Sequence, residues 1–229
     1  TIPDRTTFAD ALKITSKYEL SNKIPSSILS TLQMGSKGEI PETLKAEEIP
    51  SNRLSHTLVA TNFIAAKAAL QIANRQGYNS LIITIQLRGL TENVADFLNG
   101  VIQTEFRHSH PLHKPLCLIF GGETTVMVEG QGLGGRNQDL VLRLVERISG
   151  VPGLVLISLA TDGEDGPSNA GGAVGGGMVY QEGIETYGMN IHEFIQENDA
   201  YHYFERLGGL IKTGATGTNV NDFVLILME

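Results

Sequence analysis

Apolar and polar positions fall into two regimes along this chain. Up to about residue 50 the pattern is sparse and helical. Phe8, Ala11, Leu12 and Ile14 recur at helical spacing behind Thr6 or Thr7, either of which suits a cap, and predict a helix through about Leu20. A second helix is predicted from Pro25, a good first-turn residue, to Gly35. Residues 36–50 then read as a polar connector, with Gly38, Pro41 and Pro50 discouraging regular structure. Two short helices and a connector cannot enclose a core, so this stretch is expected to lean on something else.

From His56 the pattern becomes an alternation of strand and helix. His56–Thr61 is a predicted strand, followed by an alanine-rich helix that Asn62 caps and Gly77 ends. Ser80–Leu87 is rich in β-branched residues and predicts a strand; Leu90–Phe106 predicts a helix with Val94, Phe97, Leu98, Val101 and Ile102 on one face. Strands are predicted at Leu116–Phe120, Thr124–Glu129, Leu154–Ala160, Leu210–Thr213 and Phe223–Met228. Helices are predicted at Arg136–Ile148, Ala170–Tyr180 and Asp199–Leu207. Such alternation implies an α/β fold with a mostly parallel sheet flanked by helices. The short link Gly121–Glu123 between two strands implies one antiparallel pair, hence a mixed sheet.

Composition narrows the classes. The net charge of −8, with no basic run, gives nucleic acid no electrostatic footprint. No apolar stretch nears the ~20 residues of a membrane span and no signal peptide is visible, so a cytoplasmic protein is expected. Cys117 is the single cysteine, which excludes a disulfide, and its apolar surroundings predict an inert buried thiol. The chain begins at Thr1 without a methionine, as though cut from a longer polypeptide.

Of the 26 glycines, 21 lie between positions 121 and 217, a stretch that contains five glycine-rich turns at the ends of apolar runs. Turns at the carboxyl ends of strands are where open α/β sheets bind phosphates and small substrates. Tight connections in a glycine-rich scaffold are the plain alternative, but a scaffold does not need the polar residues that accompany these glycines. Gly121-Gly122-Glu123 offers backbone donors and one carboxylate. Gly130-x-Gly132-x-x-Gly135 matches the dinucleotide fingerprint, yet the first acid after the next strand, Asp162, stands 27 positions beyond Gly135, where about 20 is wanted. Arg136 opens a helix next to Asn137. A guanidinium there opposes the helix dipole, so an anionic ligand is expected, and removal of Arg136 is expected to stabilise the helix.

Asp162, Glu164 and Asp165 follow a strand and suit Mg²⁺, which takes one or two carboxylates and fills its shell with water and phosphate oxygens; Asp162 is the first choice. The alternative is a solvated acidic turn. Residues 214–222, with Thr216 and Asn219, suit a hydroxylated small molecule or an Asx-type turn. His108, His110 and His113 sit in a proline-containing connector and read as solvated, not as metal ligands. Neither a Gly-x-Ser-x-Gly elbow nor a P-loop occurs.

Taken in order, Gly121–Thr125, Gly134–Gln138, Thr161–Gly163 with Asp165–Pro167, Asn198-Asp199 and Thr213–Asp222 resemble the glycerate 2-kinase family, specifically its C-terminal MOFRL region, here about 115–229. Residues 1–115 resemble the preceding part of that family more loosely. The resemblance implies an ATP- and Mg²⁺-dependent kinase of D-glycerate, with two α/β domains around a cleft and a catalytic lysine in the amino-terminal half. On that reading 1–50 is the tail of the first domain, 51–229 is most of the second, and the lysine-bearing half is missing.

The resemblance makes Arg136 the active-site arginine. It makes Glu123 and Asp162 cleft-lining acids; together with the turns themselves this leads us to expect Gly121, Gly122, Glu123, Gly135, Asn137, Thr216 and Asn219 around substrate or nucleotide, with Asp162 at the metal. The chain departs from the family at Gly89-Leu90-Thr91, where Gly-Glu-Ala is usual, and at Ala160, where glycine is usual. The alternatives are an NAD(P)H-dependent hydroxypyruvate reductase, resting on the glycine fingerprint, and a non-catalytic binding or assembly domain. A half enzyme with an unpartnered stretch 1–50 is expected to dimerise or aggregate.

Overall fold

The computed structural model describes residues 2–50, 52, 54–55 and 57–229, which form two compact units, Thr1–Leu58 and Val59–Glu229. The boundary expected at 50/51 abuts Ser51, which lies outside the described residues.

In the first unit, α1 (Phe8–Lys17) starts in a capping box: the Thr7 hydroxyl accepts from the Asp10 amide while the Asp10 carboxylate accepts from the Thr7 amide. Helix α2 (Ser26–Ser36) packs on α1 at Gly35, where any Cβ would enter the Phe8 ring. Gly35 is the one buried residue among the described residues of this unit, and Ile14, Tyr18, Ile28 and Met34 stay exposed, as expected of a stretch without its own core.

The second unit is a six-stranded mixed sheet in the order β1-β2-β6-β3-β4-β5, flanked by helices. Its strands are β1 (Asn79–Leu87), β2 (Leu116–Gly122), β3 (Leu154–Ala160), β4 (Gly172–Gly176), β5 (Leu210–Ile211) and β6 (Asp222–Met228). Helix α3 (Asn62–Arg75) covers one face through Ala66, Ala69 and Leu70 against Cys117, Ile119 and Phe223. The opposite face carries α4 (Thr91–His108) and α5 (Arg136–Val145), which join Leu98, Ile102, Leu140 and Leu144 to Leu118, Phe120, Leu156 and Ile226. Three short helices, α6 (Val179–Tyr187), α7 (Ile191–Gln196) and α8 (Ala200–Arg206), complete that layer.

Four strands point the same way, β1, β2, β3 and β5, yet only β1–β2 is a parallel pair; β6 and β4 run against their neighbours. The expectation of a mostly parallel sheet therefore holds for strand direction and not for pairing, because the last strand inserts between β2 and β3.

Four expected elements differ. His56 lies outside the described residues, and residues 57–60 pair with nothing described and are exposed. Thr61, not Asn62, caps α3, through its hydroxyl to the Ile64 amide. Residues 124–129 make a single bridge, Leu90–Thr125, instead of a strand. The glycine run expected as helix 170–180 is strand β4: a Cβ on Gly175 would press within 2.8 Å of Val141 and Val145, so the glycines let α5 close onto the sheet.

Candidate functional site

One row of residues crosses the sheet at the carboxyl ends of β1, β2 and β3. Leu87 of β1 is in register with Gly122 of β2, Gly122 with Asp222 of β6, and Asp222 with Ala160 of β3. The segments after Leu87, Gly122 and Ala160, and the one before Asp222, therefore meet along a single edge, where α/β sheets place ligands. Asp222 is held between two strands at its centre and is 5% exposed.

Arg136 reaches this row from the first turn of α5. Its Nε donates to Asp222 Oδ2 at 2.6 Å and its Nη2 to Asp222 Oδ1 at 3.0 Å, a two-point fork; its Nη1 lies 3.3 Å from Glu123 Oε1. The Asp222 side chain is 7% exposed and that of Glu123 is 50% exposed. Burial pushes the Asp222 carboxyl up and the Arg136 fork pulls it back, while Asp222 raises the guanidinium above its already high value.

The anion expected at the start of α5 is supplied by the protein. Asp165 Oδ1 accepts from the Asn137 amide at 3.1 Å and Oδ2 from the Gln138 amide at 2.9 Å, with further donors from both side chains at 3.2 and 3.1 Å. Burial pushes the Asp165 carboxyl up, and these four donors oppose it. Two of the helix's orphan donors are thus already satisfied. The Asn137 amide is buried, accepting from Ser158 Oγ at 2.6 Å and donating to Asp165, which places it behind the site. Gly135 also serves this cap, since a Cβ there would strike Asp165. Two expectations are corrected. The three acids of the Asp162 turn do not converge, because Asp165 turns inward. Arg136 is also not an isolated cation, because Asp222, Glu123 and Asp165 surround it, so its removal is expected to cost stability.

Asp162 stays at the surface, where its neighbours are the other expected residues. Its Oδ2 accepts from Asn219 Nδ2 at 2.7 Å, its Oδ1 from the Glu164 amide at 3.1 Å and its carbonyl from the Thr216 amide at 2.9 Å. Thr216 Oγ1 also donates to the Thr161 carbonyl at 2.6 Å. Gly163 (φ +86°) lets this turn touch the Gly214 backbone, so two segments far apart in sequence form one surface. The expected exposed donors at Gly121 and Gly122 are absent: both residues are buried at the end of β2, and Gly121 lies flat against the Asn62 side chain. Among the described residues, no three His, Cys, Asp or Glu side chains are arranged to hold a metal, including His108, His110 and His113.

The dinucleotide fingerprint loses its structural context, since no strand precedes it. The Glu129 and Gly130 amides donate to Asn198 Oδ1, the Gly132 amide to the Glu197 carbonyl and the Leu133 amide to Asp199 Oδ1. These glycines pack against residues 197–199, leaving no space for a pyrophosphate between them.

Two participants escaped sequence reasoning. Asp222 closes the Thr213–Asp222 motif, but its pairing with Arg136 has no sequence signal beyond a charged residue opening the apolar run 223–228. Asn62 was read as a cap, yet its Nδ2 donates to the Val220 and Asp222 carbonyls at 2.8 and 3.3 Å, tying α3 to the same edge.

With this geometry in place, residues 116–222 match the family model described as MOFRL family. The chain is 35% identical, over its whole length, to the glycerate 2-kinase of Pyrococcus horikoshii and covers 51% of it. It is 35% identical to the D-glycerate 2-kinase of Thermotoga maritima over 99% of this chain and 51% of that protein. The crystal structure of glycerate kinase from T. maritima superposes with a TM-score of 0.79 at 33% identity, covering 99% of this chain and 51% of that one. The chain belongs to the glycerate 2-kinase family. It spans about half the length of the curated relatives it matches. A relative from Agrobacterium vitis, 32% identical over all of this chain and half of its own length, is named a putative hydroxypyruvate reductase.

Proposed function

We propose that this chain is part of a glycerate 2-kinase, which transfers a phosphoryl group from ATP to D-glycerate with Mg²⁺. The observation that carries the reading is Arg136, held by Asp222 at the ligand-binding end of the sheet in a chain whose whole length matches such kinases. Phosphoryl transfer is mostly positioning and charge stabilisation. A fixed guanidinium suits both, either neutralising the transferring group or clamping the glycerate carboxylate.

The chain fits Mg²⁺ only as a partial ligand set. Asp162 provides one half-buried carboxylate, each oxygen of which accepts a single hydrogen bond, and a magnesium ion bound through nucleotide phosphates needs few more from protein. Bound there, Mg²⁺ would supply charge neutralisation at phosphate oxygens. Thr216 and Asn219 hold the Asp162 turn in place and face the same exposed surface. Arg136 would meet the acceptor at the place where Glu123 now lies against it, with Gly121, Gly122, Gly135 and Asn137 shaping the floor behind.

The reading further proposes that residues supplied by the rest of a longer polypeptide, a lysine among them, complete the site. The 229-residue chain alone then shows no turnover. A coupled ADP assay with glycerate, ATP and Mg²⁺ tests this on the chain and on a polypeptide of its relatives' length. Turnover by the longer protein only is the expected result. NADH oxidation with hydroxypyruvate, without ADP formation, would overturn it in favour of a reductase. A cytoplasmic location and self-association through the exposed Ile14, Tyr18, Ile28 and Met34 belong to the same proposal.

A further inference from the structure

Arg136 is shared by two carboxylates of unlike standing. Asp222 is buried, central in the sheet and engaged at both oxygens, at 2.6 and 3.0 Å. Glu123 is half exposed, lies beyond the end of β2, and makes one looser contact at 3.3 Å. Removing a carboxylate from a guanidinium costs little when water takes its place and much when the carboxylate stays buried and unpaired. One guanidinium therefore has a fixed partner and a replaceable one.

We infer that Glu123 is an exchangeable counter-ion occupying the place of a ligand anion on Arg136, and that Asp222 is the positioning residue that keeps the guanidinium aimed when Glu123 leaves. The ligand class is a small carboxylate or phosphoryl group, which meets Arg136 Nη1 after Glu123 swings into solvent. This assigns opposite roles to two acids on the same cation. Glu123 competes with the ligand, and Asp222 makes its binding possible. The inference deepens the kinase reading and rests on it for the identity of the anion, though not for the exchange itself.

The geometry supports movement of Glu123 and immobility of Asp222. The Glu123 amide is anchored to the Leu87 carbonyl at 2.9 Å, so the backbone stays while the side chain turns. Asp222 has its carbonyl engaged by Asn62 and its strand paired on both sides. No other described residue of opposite sign contacts Glu123.

Titration of the 229-residue chain with D-glycerate and with inorganic phosphate, followed by the ¹⁵Nε signal of Arg136, tests the exchange without turnover. Glu123→Gln is expected to tighten binding of the better anion about three- to tenfold, since it removes a competing charge from an exposed position. Asp222→Asn is expected to weaken binding at least tenfold and to broaden the Arg136 signal, and Asp222→Glu to recover less than half of the loss. Weaker binding in Glu123→Gln would overturn the inference, making Glu123 a ligand contact. No binding of either anion to wild type or to Glu123→Gln would overturn it as well. Phosphate binding without glycerate binding would leave the exchange standing and count against glycerate as the substrate. Glu123→Gln keeps the test decisive if the Asp222 variants do not fold, because Glu123 is half exposed.

Discussion

Asp162 and Asp165 lie three residues apart in one turn and have opposite fates. Asp162 remains at the surface, tied to Asn219 and to two backbone amides through its carboxylate and carbonyl. Asp165 is 1% exposed and collects four donors from the first turn of α5. The difference teaches that an acid in a glycine-rich turn is not one kind of group. A carboxylate that fills a helix's orphan donors is part of the fold, whereas one with lone pairs toward solvent is available to a ligand.

The largest test of that contrast is Asp165→Ala. It removes the cap of α5 and leaves buried amides without an acceptor, at about 1 kcal/mol for the cap and about 1–3 kcal/mol for each stranded donor. A loss of about 3–4 kcal/mol in urea unfolding is expected, with little native protein if the wild type is marginal. A loss under about 1 kcal/mol would show that water fills the cap and that the two acids differ less than their surroundings imply.

Arg136→Ala comes next, and it joins stability to activity. In a polypeptide that turns over glycerate, kcat is expected to fall about 10²–10³-fold, the usual cost of losing one positioned charge at a transition state. Arg136→Lys recovers part, since an ammonium cannot reproduce the fork to Asp222. The buried Asp222 loses its partner in either variant, so the melting temperature is expected to drop. A rise would return Arg136 to the role of an unfavourable helix-end cation. Near-normal kcat in both variants would take it out of the site.

A third carboxylate extends the comparison to a buried acid with too few donors. Glu105 of α4 is fully buried; Oε1 accepts only the Leu112 amide, at 3.4 Å, and Oε2 has no partner among the described residues. Burial pushes its pKa up, with the Leu112 amide, His110, Lys114 and His113 partly opposing the shift. A raised folded pKa means the native state holds the proton longer than the unfolded chain. This group's contribution is therefore most favourable below the unfolded pKa of about 4.3 and is lost as pH rises through the folded value. Glu105→Gln is expected to remove that slope, so the variant gains most over wild type at neutral pH, as urea midpoints at pH 4 and pH 7 would show. Equal midpoint shifts at both pH values would mean that Glu105 keeps its charge by hydration.

These contrasts mark how far sequence reading reached. Periodicity located β1, β2, β3, β6 and α3 through α5 within a few residues, because each buries an apolar stripe or run, and α1 and α2 by the spacing of apolar residues that stay largely exposed. It failed at β4, where glycines serve the approach of α5, and at residues 124–129, whose apolar Met127 and Val128 are 58% and 70% exposed. Helices α6 and α7 are short and weakly patterned, and went unseen. At the site, local pattern found Arg136, Glu123 and Asp162, each beside a glycine turn. Asp222 sits 86 positions from Arg136, and Asp165 caps a helix that starts 29 positions before it. Long-range pairing of this kind leaves no local periodic trace.

The smallest expected effect on folding, and the one that separates the two acids of the turn most cleanly, is Asp162→Asn. The amide oxygen still accepts from the Glu164 amide, and the Asn219 contact is at the surface, so stability should move by no more than about 0.5 kcal/mol. Charge is what the substitution removes. If Asp162 provides the carboxylate that a nucleotide-bound Mg²⁺ needs, half-maximal activity should require several-fold more Mg²⁺, since a neutral amide is a poorer ligand for a hard cation. The measurement is kcat against free Mg²⁺ in the longer polypeptide, set beside urea unfolding of the same protein. Asp165→Asn serves as the mirror control, losing stability while the Mg²⁺ dependence of the folded fraction stays as in wild type. An Asp162→Asn protein that loses more than about 1 kcal/mol and keeps the wild-type Mg²⁺ requirement would make both acids structural. The ligand-facing side of the turn would then have to be sought at Thr216 and Asn219, whose side chains hold the same turn from the segment between β5 and β6.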